Sequence, residues 1–168
     1  MPKFGSIFFI AISFQFCSQA NAETKNDILG FTTGATVEQV NANLLTQFVS
    51  CDPLKEFRLS CTSPIGLLSF RFTNNAKPPR VIEVRSTFSS DDSPEEMMQS
   101  VAKQFGLQPT SLLTYDTTTN TKAYIWNLQS TDPKILFLTM SKPPQLILYS
   151  GKLDREDMEF NKIPTPKF

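Results

Sequence analysis

The sequence predicts an α+β domain in which two helices pack on one face of an antiparallel sheet. Three observations lead there. Capped segments with a single apolar stripe occur at 36–48 and 94–105, and most of the chain between and beyond them alternates or runs apolar at strand length. A parallel sheet would need a crossover helix for each strand, and the chain provides too few. Its 168 residues are enough for one ordinary domain.

The stretch Asp27 to Phe48 reads as a short strand, a glycine turn and an amphipathic helix. Thr36 is positioned to accept from the amide of Gln39 while the Gln39 side chain reaches back to the Thr36 amide, a reciprocal cap. Val37, Val40, Leu44 and Phe48 form the stripe to be buried. The second helix is marked at both ends. Ser93 caps, Pro94 sits at the first helical position and Glu96 completes the box. Met97, Val101 and Phe105 form the buried stripe, and Gly106 supplies the left-handed terminator before Leu107 and Pro109.

Strands follow each helix. Phe57, Leu59 and Cys61 alternate with Arg58 and Ser60. A turn at 62–66 returns the chain through Leu68, Phe70 and Phe72, and Ile82, Val84 and Phe88 define the inward side of a third strand. Later strands are expected at 112–115, 123–128, 135–140 and 146–149, the last two nearly continuous in apolar residues and so suited to central positions. Thr36, Val40, Leu44 and Phe48 recur 57 positions later as Ser93, Met97, Val101 and Phe105, suggesting two units, 36–92 and 93–149, each a helix plus three strands, with 57–61, 67–72 and 81–88 matched to 112–115, 123–128 and 135–140. The alternative is that a cap and a stripe are common to all surface helices.

At the N-terminus, Lys3, an apolar run from Ile7 to Phe16 and Ala20-Asn21-Ala22 have the three-part order of a secretory signal peptide, 1–22, with cleavage after Ala22. The apolar run is about half the ~20 residues that span a bilayer. The domain is then expected over 23–160, with a flexible tail at 161–168. Sixteen basic and sixteen acidic residues balance, so no long-range field favours nucleic acid or anionic lipid. The charge run Lys152 to Glu159 mixes signs and reads as a solvated segment. Cys51 and Cys61 are the pair left after signal removal. In an oxidising compartment they form a disulfide, worth about 3 kcal/mol on the loop-entropy model. The location implied is periplasmic or secreted, and the lack of an N-x-[ST] sequon favours a bacterial envelope.

Chemistry is sparse. Nucleophilic triads and the usual zinc sites need histidine, and the chain has none. Glycine-rich nucleotide motifs are missing, and no cofactor is implied. Asp91-Asp92 with Glu95-Glu96 is the dense acidic cluster, readable as acid-base groups or, more simply, as charges complementing a helix start. Tyr115, Tyr124 and Trp126 are aromatic groups with a polar handle, and Tyr124 and Trp126 are the candidate interface residues. Both share strand parity with Leu128, which suits core packing as well.

The run G-F-T-T-G-A-T-V-E-Q-V-N-A-N-L, Gly30 to Leu44, resembles the start of small bacterial envelope proteins in which a glycine turn precedes a T-x-E-x-V-x-x-x-L helix. These include the SmpA-type outer-membrane assembly lipoproteins and the tandem-unit β-lactamase inhibitor proteins. The resemblance implies the helix-then-strands order and carries no functional residue. Phe14-Gln15-Phe16 before Cys17 is not a lipobox, and no inhibitor contact motif can be placed. The function expected is that of a non-catalytic exported protein that binds another envelope or extracellular protein. A secreted inhibitor or effector, or an enzyme built on carboxylates, are the alternatives.

Overall fold

The computed structural model describes residues 25–46, 50–63, 66–129 and 132–160. The expected signal peptide with its cleavage point, Phe48 and the tail at 161–168 lie outside the described residues. Element order is α1 (Val37–Thr46), β1 (Ser50–Cys51), β2 (Arg58–Ser63), β3 (Gly66–Phe72), β4 (Val81–Phe88), α2 (Pro94–Phe105), β5 (Ser111–Asp116), β6 (Thr121–Leu128), β7 (Lys134–Thr139), β8 (Gln145–Tyr149) and α3 (Gly151–Phe160).

All eight strands form one antiparallel sheet in the order β1-β2-β3-β4-β8-β7-β6-β5. Each helix-led half is therefore a meander, and the two meanders join edge to edge where β4 pairs with β8. In that order β2 occupies the place that β6 holds in the other half. The three-strand correspondence drawn from the sequence, which set β2 against β5, is one strand out of step.

Main-chain chemistry explains the helices. Thr36 and Gln39 exchange bonds of 2.9 and 3.4 Å at the start of α1. At α2, Ser93 accepts from the Glu96 amide while Glu96 accepts from that of Ser93, and the helix ends with Gly106 at φ 68° and the Leu107 amide on Ala102. Before α1, Ile28 and Phe31 pair across a tight turn rather than forming a strand, with Leu29 and Gly30 both at positive φ. That turn puts the Phe31 ring edge-on to Phe70, with centroids 5.0 Å apart.

Cross-strand register separates the two sheet faces. Leu59, Phe70, Val84, Leu148, Leu136 and Trp126 line up as one row across six strands, and all are buried. Val40 and Leu44 of α1, with Met97, Val101 and Phe105 of α2, belong to the same hydrophobic cluster. Cys51 and Cys61 face each other across β1 and β2 and are disulfide-bonded. Phe57, expected on the inward side, lies before β2 at φ 59° and is exposed.

The third helix corrects the expectation that the helices keep to one face. Ser150 caps α3 by accepting from the Leu153 amide, and its own amide bonds Ile82. Asp154 accepts from Arg71 at 2.8 Å and from the Tyr149 hydroxyl at 2.6 Å, while Asp157 accepts from the amides of Asn74 and Asn75. Arg71 and Tyr149 alternate with the buried Phe70 and Leu148, so α3 lies against the far face of the sheet. The run read as solvated charge is this helix. It buries no residue of its own and is held by polar bonds.

Candidate interaction surface

The face turned away from the core differs between the two halves. One far-face row runs Ser60, Ser69, Arg85, Ile147, Phe137, Ile125 and Ser111 from β2 to β5. Ser60, Ser69 and Arg85 are polar, Ile147, Phe137 and Ile125 are apolar, and Ser111 closes the row at the edge. The cause is legible strand by strand. In β2 to β4 the apolar residues alternate apart from the adjacent pairs Leu67-Leu68 and Val81-Ile82, whereas β6 to β8 carry them at both parities, so inward packing leaves Ile125, Phe137 and Ile147 on the other side.

Tyr115 extends this strip. A register shift in β5 between Thr114 and Asp116 frees it from the ladder, and its ring lies 6.0 Å from that of Phe137. Leu113 and Tyr115 are 55 % and 44 % exposed, and Phe137 and Ile125 are half-buried between them and Ile147. Beyond Ile147 the strip meets Arg85, whose guanidinium bonds Glu83 at 2.9 and 3.1 Å and Gln145 at 3.2 Å. The arrangement is an apolar strip with a hydroxyl at one end and a paired cation at the other.

Next to it, α3 covers the row containing Arg71, Glu83 and Tyr149. Burial, the bond to Asp154 and the nearby carboxylate charge push the Tyr149 hydroxyl up to about 12. Burial alone would raise Asp154, but the bonds from Tyr149 and Arg71 and the charge of Arg71 outweigh it and hold the carboxyl below its ordinary value.

The structure separates the two residues singled out as candidate interface. Trp126 is 0 % exposed and its indole N–H donates to the Leu107 carbonyl at 3.1 Å, tying β6 to the end of α2. It is a core residue here, and Tyr124, its neighbour at 6.3 Å on the same face, is partly buried against the core. Parity with Leu128 was the signal that pointed inward. Tyr115, the third aromatic, is the one the fold exposes.

The acidic cluster does not converge. The Glu96 carboxylate is engaged in the α2 cap, where bonds from Ser93 lower its pKa. Asp92 instead borders a cavity of about 220 Å³ between α2 and the β4–β8 seam, floored by Ser86, Leu146, Met97 and Phe105, with Asp27 also on its wall. Lys25 lies 5.6 Å from the Phe105 ring centroid. On the core side, the buried Lys134 donates to Thr32; burial lowers its pKa, against the charges of Asp132 and Asp27. No family model matches the chain, nor does any curated protein or solved structure to which it was compared.

Proposed function

We propose that the protein is exported and non-catalytic, and that it works by binding another envelope or extracellular protein through the far face of its second half. The observation that carries this reading is the strip Leu113, Tyr115, Ile125 and Phe137, apolar and continuous with Ile147, in a row whose β2-to-β4 part, Ser60, Ser69 and Arg85, is polar. Apolar strips rimmed by polar groups mark contact surfaces, and tyrosine is enriched where such contacts are strongest. In the same reading α1 and α2 cover the core face, which leaves the far face of β5 to β8 as the side available to a partner. The Cys51–Cys61 bridge suits the oxidising compartment that the reading requires.

The test is capture from native envelope extract by the wild-type chain, by Tyr115→Ala and by Phe137→Ser. A specific partner lost in both variants, with melting nearly unchanged, supports the reading. Equal capture by all three overturns the surface. If the purified chain instead inhibits an added hydrolase, the inhibitor alternative replaces it. Turnover abolished by changing Asp92 or Glu96 would replace it with the enzyme alternative.

A further inference from the structure

The two edges of the sheet are built differently. At one, β1 is two residues long, is stapled to β2 by the Cys51–Cys61 disulfide and runs into Asp52-Pro53. Short length and a following proline are devices that close an edge to further pairing. At the other edge, β5 carries Ser-Leu-Leu-Thr-Tyr before its first charge at Asp116, contains no proline and is exposed along Ser111 to Tyr115. Among the described residues no strand lies outside it.

The direction of its main-chain groups follows from the neighbouring ladder. The Met140 amide donates to the Lys122 carbonyl, so Lys122, Tyr124 and Trp126 turn their main-chain groups toward β7, and Ala123 and Ile125 turn theirs toward β5. The partners of Ala123 and Ile125 are Leu113 and Ser111. Leu112 and Thr114 therefore point their N–H and C=O groups away from the sheet.

We propose that this edge pairs with the same edge of a second copy of the chain, antiparallel, about a two-fold axis at Leu113. Leu112 and Thr114 of one copy then exchange hydrogen bonds with Thr114 and Leu112 of the other, satisfying the outward groups with no change of conformation. Leu113 meets its own counterpart on the far face. Tyr115 falls opposite the small Ser111 of the copy, and the two Asp116 carboxylates stand at opposite ends of the pairing, so like charges do not meet. Overall charge balance removes long-range repulsion between copies. The bulge at Tyr115 limits the regular edge to 111–114, so the contact is small and the dimer weak. Pairing joins the two apolar strips into one surface, but it depends on β5 alone and not on the partner-binding reading.

Sedimentation velocity of the purified chain between about 10 μM and 1 mM, a range suited to an interface under roughly 1,200 Å², reads the dimer directly. The wild type should dimerise with rising concentration. Thr114→Pro, which removes an outward donor without touching the β6 ladder, and Leu113→Lys, which sets two cations together, should both remain monomeric with intact melting. Hydrogen exchange in the unmodified chain does not depend on whether the variants fold: the Leu112 and Thr114 amides should slow with concentration while exposed amides elsewhere do not. A wild type monomeric throughout, a dimer that survives both variants, or Leu112 and Thr114 protection independent of concentration would each overturn the proposal. Partner capture that persists in a monomeric Thr114→Pro chain would separate the fate of this proposal from that of the binding surface.

Discussion

Replacing Trp126 separates core from interface, because the two roles predict opposite outcomes. The side chain is wholly enclosed, so Trp126→Ala removes a large apolar group from a packed site, a change that costs about 3–5 kcal/mol. It also strips the Leu107 carbonyl of its donor, which adds about 1 kcal/mol or more. Against a domain stability of about 5–15 kcal/mol, that is a large fraction. Trp126→Phe keeps most of the volume and loses only the hydrogen bond, so it should cost about 1–3 kcal/mol. Urea unfolding followed by far-ultraviolet circular dichroism is the assay, since Trp126 is the sole tryptophan and both variants abolish its fluorescence. Loss of partner capture with an unchanged midpoint in Trp126→Ala would refute the core assignment. So would equal losses in the two variants.

Two further outcomes follow from polar and backbone detail. Folding holds the Tyr149 proton up to about 12 against an ordinary 10.0, so its stabilising contribution is complete below pH 10.0 and is lost as pH rises toward about 12. Denaturation across that range should show a fall that Tyr149→Phe flattens, and ultraviolet titration should show a late phenol ionisation that the same variant removes. A side chain at Gly66, at φ 138°, would place its Cβ 2.0 Å from the Thr87 carbonyl oxygen. Gly66→Ala should therefore lose at least about 1–3 kcal/mol from backbone strain, and a wild-type melting curve would contradict the geometry.

The second helix could be read from the sequence residue by residue because its signals are local: a serine and a glutamate three apart, a proline between them, and a glycine after the stripe. Strand positions were nearly as clear, since burying one face imposes period two on β2, β3 and β4. α3 was missed for a physical reason. With no buried residue it leaves no apolar period, and what fixes it is long-range, the bonds of Asp154 to Arg71 and Tyr149 and of Asp157 to the 74–75 turn. The mismatch in strand correspondence has a similar origin. β1, at two residues, is too short to leave a pattern, so counting strands from each helix started one place late in the first half. For the candidate surface, the apolar residues at both parities of β7 and β8 were visible as nearly continuous runs and read as a sign of central position. Their further meaning, that one of the two parities must face away from the core, needed the order of the strands.

The sheet's asymmetry bears on where a partner can act. In the first half the edge is closed by a disulfide and a proline, the far-face row through Ser60, Ser69 and Arg85 is polar with Leu67 exposed beside it, and α3 lies over the row holding Arg71, Glu83 and Tyr149. In the second half the edge is open and the far face apolar from Ile147 to Leu113. The two features share β5, because Leu113 and Tyr115 belong to the far-face strip while Leu112 and Thr114 carry the outward main-chain groups. A chain that added a strand at β5 would thereby cover Leu113 as well, whereas a partner resting on the far face alone would leave the outward amides in water. Amide exchange at Leu112 and Thr114, followed beside solvent protection of the Tyr115 ring, therefore distinguishes the two modes of contact in one sample. Slowed amides with a shielded ring indicate edge addition. A shielded ring over fast amides indicates docking on the face.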